Sequence, residues 1–308
     1  MTGQEAVVET VRQFVKTNRI PHLLFYGPPG TGKTSTITAI AREIYGDNYK
    51  KMVLELNASD DRGIDVVRNQ IKTFASTRQI FAKGFKLIIL DEADAMTNVA
   101  QNALRRIIEK YTTHTRFCIL ANYTHKLNPA LLSRCTRFRF SPLSEEAIRL
   151  RMSYVIQQEN VDIAAEAFES LLRLSQGDMR KALNILQACY AGVDEGSQIS
   201  QDMVYDCVGS PHPSDIKTIM STMMEDSWET ALHSVNLIKQ SKGLALADLL
   251  TAIANEFGDL NLKPQARVHL LKGLSEIEWR LSAGGSEKIQ TSATIGVVKS
   301  TMEIEGSV

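Results

Sequence analysis

One segment of the chain has the residue types and spacing of a phosphate-binding loop. It follows the pattern GxxxxGK[ST] and reads Gly27-Pro28-Pro29-Gly30-Thr31-Gly32-Lys33-Thr34. Glycines let backbone N–H groups turn toward a phosphate, a lysine at this position reaches the terminal phosphates, and the following threonine hydroxyl is a ligand for Mg²⁺. The segment therefore predicts a site for ATP and Mg²⁺, in which Lys33 reaches the terminal phosphates and Thr34 binds Mg²⁺.

Two carboxylates follow an apolar segment further along the chain. Residues 86–90 read Lys-Leu-Ile-Ile-Leu, and Asp91 and Glu92 come directly after them. The carboxyl end of a buried parallel strand lies where such sheets bind ligands, so we expect Asp91 to hold Mg²⁺ together with Thr34. Glu92 is then free to activate a water molecule. The pair predicts ATP hydrolysis, with Glu92 and Lys33 in catalytic roles.

These side chains need a scaffold that brings their segments together. Short apolar segments rich in β-branched residues predict strands at 22–26, 52–56, 86–90, 116–121 and 136–140. Helical patterns between them predict helices at 5–17, 33–45, 64–76 and 99–111. Nearly continuous apolar strands separated by helices are typical of a parallel sheet covered on both faces. The first half is therefore predicted to be an α/β domain.

The second half is predicted to be all-α. Helical patterns occur at 145–159, 164–175, 179–190, 201–208, 215–225, 228–240, 246–257, 264–283 and 287–302. Breaks at 141–144 and at Gly209-Ser210-Pro211-His212-Pro213 divide the chain. We expect domains at 1–142, 143–209 and 210–308.

Composition excludes several classes of protein. The chain has 308 residues, 44% of them hydrophobic, and zero formal net charge, but the first 142 residues are basic and the remainder acidic. A basic half suits a polyphosphate partner. The 4 cysteines have no CxxC spacing, which argues against a metal knuckle or a disulfide framework. Neither a signal peptide nor an apolar run long enough for a bilayer is recognised, so we expect an intracellular protein.

Further motifs resemble those of AAA+ ATPases and, more narrowly, the small subunits of the clamp loader replication factor C. Residues 120–123, Leu-Ala-Asn-Tyr, resemble sensor 1, and residues 177–180, Gly-Asp-Met-Arg, resemble sensor 2. Residues 132–135, Leu-Ser-Arg-Cys, match the Ser-Arg-Cys motif of clamp-loader small subunits. Residues 57–63 and 75–81 are also similar to this family. The resemblance covers essentially the whole chain and implies an ATPase domain, a helical lid and a helical collar that oligomerises.

The resemblance also implies roles for individual residues. Asn122 would position the attacking water or sense the γ-phosphate, and Arg180 would approach the same phosphate from the lid. Arg134 would act in trans, as an arginine finger at the ATP of a neighbouring subunit. The implied assembly is a hetero-pentamer of one large and four small subunits.

DNA and a sliding clamp are the other implied partners. Arg62, Arg68 and Lys126 would contact the backbone of primer–template DNA, and Ile80 and Phe81 would contact the clamp. The implied process is DNA replication and repair in the nucleus, and no membrane is expected among the partners. Family members usually carry a further segment before Gly3 with a Trp-x-x-Lys-Tyr-Arg-Pro motif that helps to form the adenine pocket. This sequence lacks it, so we expect either a truncated chain or weakened base binding.

Two alternatives remain open from the sequence. Residues 91–94, Asp-Glu-Ala-Asp, match a helicase box, and residues 292–294, Ser-Ala-Thr, resemble another helicase motif at an unusual distance. The second match is misplaced for a helicase, so we interpret it as a coincidence, and an AAA+ helicase or branch-migration motor is the first alternative. The second alternative is a scaffold subunit that binds ATP without turnover.

Overall fold

The computed structural model describes residues 3–17, 19–58, 64–77, 84–193 and 196–306, except for the side chains of residues 64–68 and Asp259. The chain forms two compact units. The first is Met1–Asp162 with Leu171–Gln187, and the second is Ile163–Ser170 with Ala188–Val308.

The first unit alternates strands and helices. Its strands are β1 (Leu23–Tyr26), β2 (Val53–Asn57), β3 (Lys86–Asp91), β4 (Thr115–Ala121) and β5 (Thr136–Arg139). Its helices are α1 (Glu5–Lys16), α2 (Lys33–Tyr45), α3 (Tyr49–Met52), α4 (Ile64–Ser76), α5 (Asn98–Tyr111), α6 (Pro129–Leu132) and α7 (Glu145–Glu159). Helices α8 (Ala165–Ser175) and α9 (Met179–Gly192) contribute residues to both units.

The strands form one sheet in the order β2-β3-β4-β1-β5. Each pairing is parallel, so the carboxyl ends of all five strands lie at one edge. The loops that leave β1, β3 and β4 therefore meet at this carboxyl edge. The segment that enters β5 lies at the opposite, amino edge. Strands β2 and β5 are the outer strands of the sheet as described.

The sheet is buried on both faces, which explains its apolar central strands. Alternate residues of β3 and β4, such as Ile88 and Phe117, pack with Leu104 of α5 on one face. The residues between them, such as Ile89, pack with Ile37 of α2 on the other. This arrangement fixes the register of the strands and so the positions at which they end.

The second unit is helical. It contains α10 (Gln201–Val208), α11 (Pro213–Glu225), α12 (Trp228–Lys242), α13 (Leu246–Asp259), α14 (Pro264–Ser282) and α15 (Glu287–Gly306). Helices α11 to α15 share one apolar core that includes Ile219, Leu249 and Ile295. In the described part of this unit the only extended pairing is an isolated bridge between Ile163 and Ile199.

The predicted fold class is confirmed, and the predicted elements are found within a few residues of their expected bounds. The structure adds α3, and it extends the last helix to Gly306. The contact-based units divide α8 and α9, so the domain boundaries at 142 and 209 stay a prediction. Among the described helices, none combines the length and apolar character needed to cross a membrane.

Candidate functional site

The loop between β1 and α2 adopts backbone conformations that suit glycine. Gly27, Gly30 and Gly32 have φ values of 144°, 66° and 92°. A Cβ at Gly27 would lie 2.0 Å from the carbonyl oxygen of Phe140, and one at Gly30 would lie 1.6 Å from Oδ1 of Asp178. The loop therefore needs glycine at two positions for lack of space as well as for φ.

Lys33 begins α2 and its ammonium group is nearly buried. The Nζ atom donates to the carbonyl oxygens of Gly27 and Pro28, both at 2.8 Å, and to Oδ1 of Asn122 at 3.0 Å. Burial lowers the pKa of Lys33, and the charges of Asp91 and Asp94 oppose that effect. The loop backbone and the end of β4 thus hold the ammonium group of Lys33 at the carboxyl edge of the sheet.

Thr34 and Asp91 meet although they lie on different elements. Thr34 Oγ1 donates to Asp91 Oδ2 at 2.8 Å, and Asp91 Oδ1 accepts from the backbone N–H of Glu92 at 2.9 Å. A hydroxyl and a carboxylate are hard oxygen donors of the kind that Mg²⁺ takes alongside phosphate oxygens and water. The residues present fit that ion.

Glu92 is exposed at the end of β3, and its backbone is in the left-handed region with φ 53°. Few non-glycine residues adopt this conformation, which costs about 1 to 2 kcal/mol relative to the right-handed one. Residues with such strain cluster at functional sites. Glu92 lines the same cleft as Lys33 and Asp91.

The cleft itself has a volume of about 320 Å³. It is lined by the loop, by residues at the ends of β3 and β4, and by one face of α9: Pro29, Gly30, Thr31, Gly32, Lys33, Thr34, Ser35, Asp91, Glu92, Asn122, Met179, Arg180, Leu183 and Asn184. The backbone N–H of Met179 donates to the carbonyl oxygen of Gly30 at 3.2 Å, which fixes the start of α9 at the loop. Arg180 therefore lies at the cleft.

Gly27 and Pro28 do not line the cleft, but their carbonyl oxygens accept hydrogen bonds from the ammonium group of Lys33. Thr31 is buried, and its Oγ1 donates to the Pro28 carbonyl oxygen at 2.9 Å, which closes the loop on itself. Leu183 and Asn184 were not expected at the site. The sequence feature that could have indicated them is their spacing of three and four residues from Arg180, which puts them on the same face of a helix.

Asp94 supports Asn122 through the backbone. Its carboxylate oxygens accept from the N–H groups of Asn122 at 3.3 Å and Tyr123 at 3.2 Å. The sequence indicated Asp94 only as part of a helicase-like box. In the structure it joins the turn after β3 to the turn after β4.

Gln101 is a second supporting residue that the sequence did not indicate. Its buried amide donates to the carbonyl oxygens of Met96 and Lys126 at 3.1 Å and 3.0 Å and accepts from the N–H of Asn128 at 2.7 Å. Asn128 in turn caps α6, because its Oδ1 accepts from the Ala130 N–H. A buried amide with three partners fixes the connection between β4 and α6.

Arg134 does not line the cleft. It follows α6 and precedes β5, which pairs with β1 in parallel register from Leu23 and Thr136 onward. It therefore lies at the amino edge of the sheet, whereas the loop that begins at Gly27 leaves the carboxyl edge. The length of β1 alone separates the two edges by about 13 Å.

The residues expected to contact DNA and the clamp are only partly described. Lys126 is exposed at the end of a 3₁₀ turn, and its Nζ lies 5.1 Å from the centroid of the Tyr123 ring. Arg68 belongs to α4, but its side chain lies outside the described part. Arg62, Ile80 and Phe81 lie outside the described residues.

Two family models match the chain. The model described as "ATPase family associated with various cellular activities (AAA)" matches residues 23–143. The model described as "Replication factor C C-terminal domain" matches residues 211–297. The first covers the sheet and the cleft residues that leave it, and the second covers most of the helical bundle.

Similar proteins extend over nearly the whole chain. "Replication factor C subunit 3" of Blastobotrys adeninivorans is 70% identical over 307 residues, which is 100% of this chain and 91% of the relative. "Replication factor C subunit 5" of Homo sapiens is 49% identical over 305 residues, 99% of this chain and 89% of the relative. Among solved structures, the RuvB Holliday junction branch migration motor of Thermotoga maritima matches with TM-score 0.52 and 17% identity, over 85% of this chain and 90% of RuvB. At that identity the likeness concerns the fold alone.

Proposed function

Because the chain belongs to the small subunits of replication factor C, of the type named subunit 3 in fungi and subunit 5 in animals, we propose that it is an ATPase subunit of a sliding-clamp loader. In this role it joins a large subunit and three other small subunits in a hetero-pentamer. The assembly opens the clamp and loads it at primer–template DNA during replication and repair in the nucleus.

The observation that carries the ATPase role is the convergence of four segments on one cleft. The phosphate-binding loop, the end of β3, the end of β4 and the start of α9 supply Lys33, Asp91, Asn122 and Arg180. Loop N–H groups and Lys33 bind the phosphates, and Arg180 approaches the γ-phosphate from α9.

Catalysis is assigned to the residues around Thr34 and Asp91. Their oxygens hold Mg²⁺, which when bound neutralises charge on the phosphates. Glu92 orients and activates the attacking water, and Asn122 helps to place it. These assignments follow the geometry of the cleft and the motifs of the family.

Arg134 is assigned to a neighbouring subunit's ATP. Topology supports this role, because the residue lies at the amino edge of the sheet and its own cleft lies at the carboxyl edge. A side chain exposed on the edge opposite its own cleft can complete a second site when subunits associate head to tail. An arginine there stabilises negative charge that develops on the γ-phosphate.

ATP binding then acts as a switch between assembly states. Differential affinity for the ATP and ADP states biases the subunits between a closed spiral that grips clamp and DNA and a form that releases them. We assign the ATPase domain to 1–142, the lid to 143–209 and the oligomerising collar to 210–308. Arg62, Arg68 and Lys126 contact the DNA backbone, and Ile80 and Phe81 contact the clamp.

The test is ATP turnover by this chain assembled with the other four subunits, with and without clamp and primer–template DNA. We expect both ligands to stimulate turnover in the presence of Mg²⁺. Glu92→Gln should abolish turnover at this subunit's own site, and Arg134→Ala should abolish it at a neighbour's site.

Native mass spectrometry of the co-expressed subunits supplies the control for assembly. One copy of this chain in a five-membered complex is expected for every variant. A homo-hexamer with strand-separating activity would contradict the proposal, as would turnover that neither clamp nor DNA affects.

A further inference from the structure

Arg134 is held by an ion pair within its own chain. Its Nη2 lies 2.6 Å from Oε1 of Glu109, in the last turn of α5. Its Nη1 donates to the carbonyl oxygen of Ala130 and lies 3.3 Å from Oγ of Ser133. Three oxygens from α5 and from the α6 segment therefore surround the two terminal nitrogens of the guanidinium group.

These contacts leave part of the guanidinium group available. A guanidinium has five N–H donors in a planar fork, and the contacts above use one hydrogen of Nη2 and those of Nη1. The Arg134 side chain is 35% exposed, which suits a group that is fixed along one side and open along the other. A donor that is already oriented loses less entropy when it binds a phosphate.

The helix dipole does not favour a carboxylate at the position of Glu109. A carboxylate in the last turn of a helix faces the negative end of the helix dipole, where cations are favoured instead. The Nε atom of Arg105, one turn earlier, lies 3.8 Å from the same Oε1. The carboxylate is thus set between two arginines, and Arg134 is the closer of them.

We infer that Glu109 is a positioning residue for Arg134, and that it orients the guanidinium group for hydrolysis at the neighbouring subunit. This inference rests on the proposed trans role of Arg134. Glu109 touches neither nucleotide nor metal in this account. It acts only through the direction and restricted motion of the arginine side chain.

The experiment uses the assembled five-subunit complex with clamp and DNA. Hydrolysis is confined to the site that Arg134 completes, by changing the catalytic glutamate to glutamine in each of the other sites, Glu92→Gln in this chain included. Steady-state kcat and KM for ATP are then measured for Glu109→Ala, Glu109→Gln, Arg134→Ala and the double variant Glu109→Ala/Arg134→Ala.

We expect Glu109→Ala to lower kcat about fivefold, the factor that corresponds to the upper range for an exposed ion pair, with KM unchanged. Glu109→Gln keeps an oxygen acceptor and should fall between Ala and the unaltered chain. Arg134→Ala should lower kcat about a thousandfold. The double variant Glu109→Ala/Arg134→Ala should have the same kcat as Arg134→Ala, because the side chain that Glu109 positions is gone.

Glu145→Ala is the matched control, since Glu145 forms an exposed ion pair with Arg149 at 2.7 Å on α7. It should leave kcat unchanged, and thermal unfolding should show that every variant is folded. Retention of ADP with aluminium fluoride, a mimic of the transferring phosphoryl group, should fall in parallel with kcat.

The outcomes separate the two claims. If Arg134→Ala leaves the neighbour's turnover intact, the trans role fails and the inference fails with it. If Arg134→Ala is impaired while Glu109→Ala has no effect or raises kcat, the inference alone is overturned. An equal loss from Glu109→Ala in the presence and absence of Arg134 would overturn it as well.

Discussion

The Oγ1 of Thr34 lies 2.8 Å from the Oδ2 of Asp91, across 57 positions of sequence. If these oxygens hold Mg²⁺, removing the carboxylate charge must weaken the ion's binding. Asp91→Asn keeps the size of the side chain, and we expect the Mg²⁺ concentration for half-maximal ATP turnover to rise at least about tenfold. A Mg²⁺ titration of turnover measures this. Thr34→Ser, which keeps the hydroxyl, should leave the titration nearly unchanged, and an unaltered curve for Asp91→Asn would exclude this residue as a ligand.

Glu92 is proposed to activate water and has a strained backbone, so two substitutions should differ in their effect on the free energy of unfolding. Glu92→Gln should lower turnover about 10² to 10⁴-fold and retain ATP binding, because a general base is lost and the shape is kept. Glu92→Gly should also lose turnover, but it should raise the free energy of unfolding by about 1 kcal/mol, because glycine accepts φ 53° without strain. Turnover assays and urea unfolding test both. A Glu92→Gly variant that is less stable than Glu92→Gln would contradict the strain argument.

Gly30 allows the phosphate-binding loop to touch the residue before α9. We expect Gly30→Ala to weaken nucleotide binding at least about tenfold, because the new Cβ would lie 1.6 Å from Oδ1 of Asp178 and push the two segments apart. Titration with a fluorescent ADP analogue provides the measurement. Gly46→Ala is the control, since Gly46 also has positive φ but has open space around it. Equal losses for both variants would indicate a general effect of backbone strain.

Gln101 holds the connection between β4 and α6 through its buried amide. Gln101→Leu should lower the stability of this region by about 3 kcal/mol, because two carbonyl oxygens and one N–H lose their partner. Hydrogen exchange of the amides in residues 124–128 should report the loss. Asn102→Ala, an exposed neighbour with a single contact to Asn128, should cost less than about 1 kcal/mol. Similar protection in Gln101→Leu and the unaltered chain would contradict this role.

His22 predicts a loss of stability in acid. Burial, with a smaller contribution from Arg116, lowers the pKa of His22 from 6.5 to about 4. Between these values the unfolded chain binds a proton that the folded chain does not, so stability is complete above about pH 6.5 and falls as the pH is lowered toward 4. The ring is held neutral, since Nδ1 accepts from the Phe117 N–H at 3.2 Å.

Urea midpoints between pH 6.5 and 5 test this dependence before most carboxylates titrate. His22→Asn places an amide near the same N–H and carries no titrating proton, so its midpoint should change less over this range. Equal slopes for the two proteins would show that another group is responsible.

Local sequence indicated the segments that form the cleft. The loop that begins at Gly27 has the sequence pattern required to bind phosphate. Asp91 ends strand β3, which is continuously apolar because it is buried on both faces. The resemblance to sensor 1 implied Asn122 at the phosphate site, and its Oδ1 lies 3.0 Å from the Nζ of Lys33, because parallel strands bring their carboxyl ends to one edge. Local pattern and strand ends indicated Lys33 and Asp91, whereas Asn122 was indicated by the family motif.

The supporting residues could not be predicted in the same way. Gln101, Asp94 and Glu109 each have at least one partner that lies 25 or more positions away. Their residue types are common on helices and in turns, so nothing local distinguishes them. The packing of α5 against α6 and the end of β4 gives Gln101 and Glu109 their distant partners, and the meeting of the turns after β3 and β4 gives Asp94 its partners.

The outer strands of the sheet bear on solubility. Strand β5 carries exposed Arg137 and Arg139, and strand β2 carries exposed Glu55. Charged side chains on edge strands discourage pairing with a strand of another chain. A second copy of the same edge strand would place like charges next to each other and remove them from water. Replacing both arginines with valine should therefore produce aggregates that bind amyloid dyes while the nucleotide cleft keeps its residues.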